Sequence, residues 1–246
     1  MTTRYISFTE WLSSPLGRYL QAREQAYFDQ AVADLFGFNA LQIGLSHWDM
    51  LRNSRIPHRF RVDAGEIGDI LAEPTHLPFA NQSVDLLVLP HLLEFSNYPH
   101  QILREAERVL IPEGNLLISG FNPHSLWGVH RYYKHRAGDY PWCGAFVNLG
   151  RLKDWLSLLG CDVVGGRMCC YAPPLTNASL MRYFEFMEAA GDRWWVMGGG
   201  VYFIHAVKRV HGMRLITPRW QGKSKLAGAL SPATRSLQNG SKCCDK

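Results

Sequence analysis

The N-terminal part of the chain carries apolar residues at helical spacing. Between residues 10 and 36 they recur every three or four positions, at Leu16, Tyr19, Leu20, Tyr27, Ala31 and Leu35. Thr9 can cap a first turn that contains Glu10, and Pro15 suits the first turn of a restarted helix. Gly37 is suited to follow the end of that helix. The pattern predicts an N-terminal helical segment over residues 10–36.

After residue 37 the pattern changes to short apolar runs that alternate with amphipathic stretches. The runs predict strands at 40–44, 59–63, 69–73, 84–90, 115–121, 161–166 and 200–209. The stretches 99–110 and 149–160 place their apolar residues on one face, which predicts helices. The run 84–90 is apolar almost throughout, as expected for a strand covered on both sides. This order predicts an α/β fold with a mostly parallel seven-stranded sheet and helices on both faces.

Two segments do not fit the alternation. Residues 171–198 contain a Pro-Pro turn and many aromatic residues, and we interpret them as a cap-like insertion. The aromatic residues could cover a substrate pocket, but their helical spacing is more typical of core packing (Tyr183, Phe184, Phe186, Trp194 and Trp195). Residues 211–246 lack periodicity and are rich in Gly, Ser and Lys, which predicts a disordered tail after a domain at 1–210.

Charge is distributed unevenly along the 246 residues. Residues 208–246 carry nine Lys/Arg and one acid, a net charge of +8, whereas residues 1–207 carry 17 basic and 20 acidic residues, a net charge of −3. The domain therefore lacks the basic composition of a nucleic-acid groove. The tail could contact nucleic acid or an anionic surface nonspecifically, although a solvated tail is the favoured interpretation.

Cysteine spacing and hydropathy exclude several other classes of protein. The six cysteines include no C-x-x-C pair, so we expect reduced thiols and no metal site. No apolar run reaches the roughly 18 residues of a transmembrane segment, and the N-terminus lacks the pattern of a signal peptide. The expectation is a cytoplasmic protein.

The segment "LAEPTHLPFANQSVDLLVLPHLLEFSNYPHQILREAERVLIPEGNLLISGFNP", residues 71–123, carries a resemblance to a known family. It is similar to the core of class I S-adenosylmethionine-dependent methyltransferases, and most of all to the type 11 branch. The acid four residues before "LPF", then "SVDLLVLPHLLE" and "LREAERVLIPEG", occur in the family's order. The resemblance covers roughly residues 15–207, and parts of it look like an uncharacterised bacterial subgroup. It implies a Rossmann-like sandwich and S-adenosyl-L-methionine as the cofactor.

The resemblance places the cofactor beyond the carboxyl ends of the strands, beginning with the loop after the first strand. That loop in the family reads roughly acid-x-Gly-x-Gly-x-Gly. Here Gly44 keeps the first glycine and Leu45 follows it, but Gln42 replaces the acid, Ser46 the second glycine and Trp48 the third. The Trp48 ring would turn outward, stack on the cofactor or fill its space.

Three later residues correspond to other cofactor contacts of the family. Asp63 is placed to hold the ribose hydroxyls, because a carboxylate accepts from two hydroxyls at once. Glu73 corresponds to the acid that accepts from the adenine amino group, and Thr75 to the backbone amide near the ring, since Pro74 has no amide hydrogen. Only ten residues separate Asp63 from Glu73, which indicates that one crossover helix is missing.

The ends of the fourth and fifth strands supply the remaining candidates. Pro90 and His91 correspond to backbone around the methionine part of the cofactor, and His91 is also a weak candidate for a general base. Weaker candidates for substrate contact are Glu94, Asn122, His124 and Trp127. For the segment after the fifth strand, a plain loop with a helix cap is the favoured interpretation.

Two functions remain open at this point. The first is an S-adenosylmethionine-dependent methyltransferase that acts on an unidentified small-molecule acceptor. The second is a catalytically inactive, methyltransferase-like binding or scaffold protein, which the atypical glycine loop and the short 63–73 connection favour.

Overall fold

The computed structural model describes residues 7–65, 68–134, 139–175, 183–184, 186–195 and 197–210. The helices are α1 (Phe8–Leu12), α2 (Pro15–Ala33), α3 (Pro99–Val109), α4 (Leu126–Lys134), α5 (Leu149–Leu158) and α6 (Phe186–Trp194). The strands are β1 (Asn39–Ile43), β2 (His58–Asp63), β3 (Ile70–Leu71), β4 (Val84–Pro90), β5 (Leu110–Phe121), β6 (Cys161–Cys169) and β7 (Val201–Lys208). The predicted tail at 211–246 lies outside the described residues.

The seven strands form one sheet in the order β3-β2-β1-β4-β5-β7-β6. Strands β1 to β5 pair in parallel, and β7 is antiparallel to both of its neighbours. The predicted fold class, a mostly parallel seven-stranded sheet with helices, is confirmed. The chain leaves β1 toward β2 and β3 and then returns to the other side of β1 with β4. This reversal is the switch point at which open α/β sheets bind ligands.

The N-terminal segment forms two helices instead of one. Ser7 caps α1 by accepting from the Glu10 amide, so the predicted cap at Thr9 is wrong by two residues. Ser14 caps α2 by accepting from the Gly17 amide at 3.0 Å, and Pro15 is the first residue of α2, as its position predicted. The helix ends at Ala33 and not at Gly37, because a short extended connection leads into β1.

Within the described residues, the connections between β1, β2 and β3 contain no helix. The six residues between β2 and β3 leave no room for a crossover helix, which agrees with the short spacing noted above. Gly68 lies so close to β2 that a Cβ there would be 3.0 Å from the Arg61 carbonyl oxygen. The 14 residues between β1 and β2 also form turns without a helix, which the sequence did not predict.

Other elements differ from the prediction mainly in length. β3 has two residues in place of the predicted five. β5 extends back through the predicted "IPEG" turn to Leu110, with a change of register between Val84 and Leu86 of its partner strand. After β5, a short loop at 122–125 leads into the helix α4, and Ser125 Oγ accepts from the Gly128 amide, as expected for a loop with a helix cap.

Two apolar layers cover the sheet. One contains the inner faces of α3 and α5, where Ile102, Ala106 and Leu152 are fully buried. The other contains α1, α2 and α4 with Trp11, Phe28 and Trp127, all of which contribute large rings to the packing. The sheet is therefore covered on both faces, and its carboxyl edge is where a ligand can reach it.

The aromatic residues of the 171–198 segment do not form the core that their spacing favoured. Their described side chains are largely exposed: Tyr183 71%, Phe186 63%, Trp194 79% and Trp195 66%. Glu188 is the residue of α6 that faces inward, where it accepts from the backbone amides of Tyr171 and Cys170. Helix α6 is thus attached through a carboxylate and not through its aromatic side chains.

Candidate functional site

A cavity of about 510 Å³ lies where the carboxyl ends of β1 and β4 meet. Six residues that the sequence assigned to the cofactor line it: Gly44, Leu45, Glu73, Thr75, Pro90 and His91. They come from the ends of three strands that are far apart in sequence. The cavity is at the switch point of the sheet, the position expected for a ligand in this architecture.

The backbone after β1 turns sharply at the edge of this cavity. Gly44 has φ of 83° and Leu45 has φ of 49°, so two successive residues adopt left-handed backbone. A leucine in this region is unusual and costs conformational energy, which is a feature that clusters at functional sites. The Gly44 amide donates to the Val62 carbonyl at 2.8 Å, which fixes the turn to β2.

The side chain of Gln42 organises the loop from within. Its Nε2 lies 3.2 Å from the carbonyl oxygens of Gly44 and Leu45 and 2.8 Å from that of Trp48. Its Oε1 accepts from the Met50 amide at 3.0 Å. The buried amide therefore holds both ends of a turn that contains no glycine after Gly44.

Trp48 does not occupy the cavity. Its ring is buried in the layer beneath α2, and its Nε1 donates to Oε1 of Gln25 on that helix. From the sequence we considered a ring that turns outward, stacks on the cofactor or fills its space. The ring is turned away from the ligand space, but it is buried inside the protein. The cavity is left open as a consequence.

Ser46 and Asp63 support the loop but are not among the residues that line the cavity. Asp63 accepts from the Ser46 amide at 3.4 Å and from the Gly65 amide at 3.1 Å. The Ser46 side chain is fully buried, and its Oγ has no hydrogen-bond partner. The Asp63 carboxylate is at the carboxyl end of β2, adjacent to the β1 loop.

The opposite wall of the cavity comes from the connection after β3. Glu73 is exposed there, and Pro74 and Thr75 follow it along the cavity wall. The Thr75 hydroxyl pairs with Nδ1 of His76 at 3.0 Å, while no side-chain bond holds Glu73 in place. A carboxylate that faces open space in a cavity can accept hydrogen bonds from a ligand.

His91 follows β4 and contributes its main chain to the cavity, because its side chain is fully buried. Its φ of 45° makes it a second non-glycine residue with left-handed backbone at the same edge. The ring lies between two glutamates: Nε2 is 2.5 Å from Glu24 Oε1, and Nδ1 is 3.1 Å from Glu94 Oε2. Glu94 also accepts from the Phe121 amide at the end of β5. We call Glu24, His91 and Glu94 the acid–imidazole cluster.

The charges of the acid–imidazole cluster shift the pKa values of His91 and Glu24. Burial by itself would lower the pKa of His91, but the carboxylates of Glu24 and Glu94 outweigh it and raise the pKa to about 10. Burial raises the pKa of Glu24, and the adjacent imidazole opposes that rise. A general base needs a free ring nitrogen near its working pH. Both nitrogens of His91 are bonded, so neither is free in this structure for the general-base role that the sequence suggested.

The weaker substrate candidates are engaged in structural contacts. Nδ2 of Asn122 donates to the carbonyls of Met197 and Gly199, which anchors the chain before β7. Trp127 is fully buried and its Nε1 donates to the Ala172 carbonyl at 2.9 Å. His124 pairs with the side chain of Asn148, and Glu94 belongs to the acid–imidazole cluster. None of these four residues is among those that line the cavity.

Several cavity residues were not identified from the sequence. Phe8 of α1, Phe95, Tyr98 and Tyr140 line one end of the cavity, and Glu24 of α2 binds His91 from below. They lie outside the strand ends, where the sequence analysis placed its candidate residues. Only a long-range contact brings α1 and α2 to this edge, so no local pattern could reveal it.

The residues present fit the cofactor that the resemblance implies. The cavity is open at the switch point, Gly44 allows backbone to approach a ligand closely, and Glu73 presents a free carboxylate. Oε2 of Glu24, beneath the β4 end of the cavity, is a buried oxygen without a hydrogen-bond partner. Within the described residues, no cluster of three His, Cys, Asp or Glu side chains could hold a metal ion. In the same part of the chain, no helix is long and apolar enough to cross a membrane.

Part of the chain is similar to a known protein family. Residues 50–118 match a family profile described as a methyltransferase domain, type 11. The protein YafS of Escherichia coli K12, whose function is uncharacterised, is 36% identical over 156 residues. The match covers 63% of this chain and 65% of YafS, so the chain spans just under two thirds of that relative.

Two further similarities extend this finding. Malonyl-[acyl-carrier protein] O-methyltransferase 1 of Coxiella burnetii is 33% identical over 90 residues, which are 37% of this chain and 31% of that enzyme. The solved structure of a SAM-dependent methyltransferase from Thermotoga maritima has a TM-score of 0.57 at 17% identity and covers 78% of this chain and 93% of that one. At this identity the structural similarity shows the fold alone.

Proposed function

Because the chain carries a methyltransferase domain of the type 11 branch on the class I fold, whose cofactor is S-adenosyl-L-methionine, we propose that it methylates a small-molecule acceptor. The observation that supports this most directly is the cavity at the switch point of the sheet. Two strand ends with left-handed backbone border it, at Leu45 and His91, and Trp48 is turned away from it.

The proposed cofactor contacts follow the strand ends. Gly44 and Leu45 provide backbone after β1, and Pro90 and His91 provide backbone after β4. Glu73 accepts from the adenine amino group, and the Thr75 amide lies beside the ring. Ser46 and Asp63 are adjacent to these residues, and Asp63 retains acceptor capacity for the ribose hydroxyls beyond its bonds to two amides.

The protein's part in such a reaction is chiefly to position the reactants. When bound, S-adenosylmethionine supplies a methyl group that its sulfonium already activates. The chain holds the acceptor in line and excludes water, which accounts for much of the rate in reactions that depend on proximity. Since both nitrogens of His91 are bonded, an acceptor proton leaves to solvent or to a group outside the acid–imidazole cluster.

Ligand-induced stabilisation tests the proposal. S-adenosylhomocysteine should raise the melting temperature, because a ligand that binds only the folded state stabilises it by about 2.7 kcal/mol at a hundredfold excess over Kd. Gly44→Val should abolish this shift, since a side chain there would contact Leu92 inside the cavity. Gly160→Val is the matched control: it also has positive φ, of 72°, but it precedes β6 at the opposite edge of the sheet. No shift for the wild type and no heat of binding would refute the proposal.

The catalytically inactive alternative differs from the enzyme in one measurable property, the transfer of methyl groups. The helix-free connections after β1 and β2 are the feature that favours a binding or scaffold protein. Such a protein would bind S-adenosylhomocysteine without transferring labelled methyl groups to any small molecule of a cell extract. Labelled product from the wild type, and none from Gly44→Val, would favour the enzyme.

A further inference from the structure

One end of the cavity is formed by aromatic rings from three separate parts of the chain. Phe8 comes from α1, Phe95 from the connection after β4, and Tyr140 from the segment after α4. Their ring centroids are 5.1 Å apart for Phe8 and Phe95 and 5.4 Å apart for Phe95 and Tyr140. We call these three residues the aromatic wall.

The aromatic wall and the proposed adenine contacts lie at opposite ends of the cavity. Glu73 and Thr75 follow β3, which is an outer strand on one side of the β1–β4 pair. Phe8 packs edge-on against Phe121 at the end of β5, on the other side of that pair. The cavity therefore runs across the sheet edge from the β3 side to the β5 side.

No cationic side chain is available to a ligand in this space. The lining of the cavity includes no Lys or Arg within the part of the chain described, and its one acid, Glu73, lies at the other end. Beneath the β4 end, the acid–imidazole cluster contains two carboxylates and a single imidazole. A bound anion would lose its hydration there without gaining a cationic partner.

We propose that the aromatic wall binds the ring of an uncharged aromatic acceptor and that this site rejects carboxylates. The inference rests on the proposed function and specifies its substrate class. Rings that pack at centroid separations of about 4.5–7 Å favour offset or edge-to-face contact with a further planar ring. The acceptor would thus differ from the one named for the Coxiella burnetii relative, whose malonyl group carries a carboxylate.

Two probes of equal ring size test the charge preference. Protein saturated with S-adenosylhomocysteine is titrated calorimetrically with 2-naphthol, which is uncharged at neutral pH, and with 2-naphthoate. We expect 2-naphthol to bind at least tenfold more tightly. Equal or tighter binding of 2-naphthoate, or no binding of 2-naphthol, would overturn the proposal.

Substitution of the wall tests the location. Phe95→Leu keeps an apolar side chain but removes the ring, and it should weaken 2-naphthol binding roughly three- to tenfold. Tyr140→Leu should have a similar effect. Phe36→Leu is the matched control, because that ring is exposed and lies outside the cavity. Unchanged affinity in both wall variants would contradict the assignment.

Competition separates this inference from the proposed function. If the wild type fails to bind S-adenosylhomocysteine, the proposed function fails, and titration of the ligand-free protein with the two naphthalenes still tests the wall. If 2-naphthol and S-adenosylhomocysteine exclude each other, the wall belongs to the cofactor site and the inference is wrong. Simultaneous binding of both supports it.

Discussion

At the scale of single residues, Gln42 determines how the loop after β1 is built. Its side-chain amide contacts three carbonyls and one backbone amide of the loop. A carboxylate could not donate to those carbonyls. An amide at this position therefore allows one buried side chain to hold both ends of the turn.

Substitution of Gln42 by an acid should consequently destabilise the folded protein. Gln42→Glu would place a buried carboxylate against three carbonyl oxygens, and we expect it to lower the free energy of unfolding by about 2–4 kcal/mol. Denaturant unfolding measures the change. Gln101→Glu on α3 serves as the control with the same chemical change at a partly exposed site, and it should cost less than about 0.5 kcal/mol. Equal stabilities of the two variants would contradict this account of the loop.

The acid–imidazole cluster gives a second prediction at this scale. His91→Gln leaves the carboxylates of Glu24 and Glu94 buried without a cation between them, which should destabilise the protein by about 3–5 kcal/mol near pH 7. The double variant Glu24→Gln/His91→Gln removes one of those charges and should recover part of the loss. Urea unfolding at a fixed pH measures the free energy of unfolding of the wild type and the two variants.

The pH dependence of this loss of stability follows from the two groups whose pKa is raised, His91 and Glu24. The raised pKa of His91 means that its stabilisation is complete below about pH 6.5 and disappears as the pH rises through about 10. The raised pKa of Glu24 means that the folded variant takes up a proton more readily than the unfolded chain as the pH falls. The difference between wild type and His91→Gln should therefore be largest near neutral pH and smaller near pH 5 and above pH 10. If the difference in the free energy of unfolding between the two proteins did not depend on pH, the charges of the acid–imidazole cluster would not be its cause.

At the scale of elements, α2 packs against the loop after β1 and reaches the end of β4. Trp48 packs beneath this helix and bonds to Gln25, and Glu24 of the same helix reaches His91. Through these contacts α2 stabilises both strand ends that border the cavity. Helix α2 is in this sense part of the site, although none of its residues is among those that line the cavity.

Trp48→Ala should therefore reduce stability without improving ligand binding. Removing a large buried side chain typically costs about 3–5 kcal/mol. Because the ring lies outside the cavity, affinity for S-adenosylhomocysteine, measured by calorimetry on the folded fraction, should not increase. Tighter binding by the variant would indicate that the tryptophan obstructs the ligand after all.

At the scale of the whole molecule, the described cavity is built from residues up to Tyr140, whereas the basic charge is concentrated near the C-terminus. Residues 211–246 contain seven Lys/Arg and one acid, so a chain that ends at Val210 changes from a net charge of +5 to −1. Such a chain should keep its affinity for S-adenosylhomocysteine. It should also lose any salt-sensitive retention on heparin or nucleic acid that the full chain has. Retention that survives the truncation would assign the anion contact to the domain.

The sequence by itself determined the order of the elements and the edge of the sheet at which a ligand would lie. Apolar runs and amphipathic stretches are local patterns, and the topology of a parallel sheet then brings Gly44, Pro90 and Glu73 to one edge. Only the tertiary structure decided the direction of the Trp48 ring, the pairing of His91 with Glu24 and the position of Phe8 in the cavity. Each of these depends on how α1 and α2 pack on the sheet. That packing is a long-range contact between distant parts of the chain, and the hydrophobic pattern specifies only which side of each helix is buried.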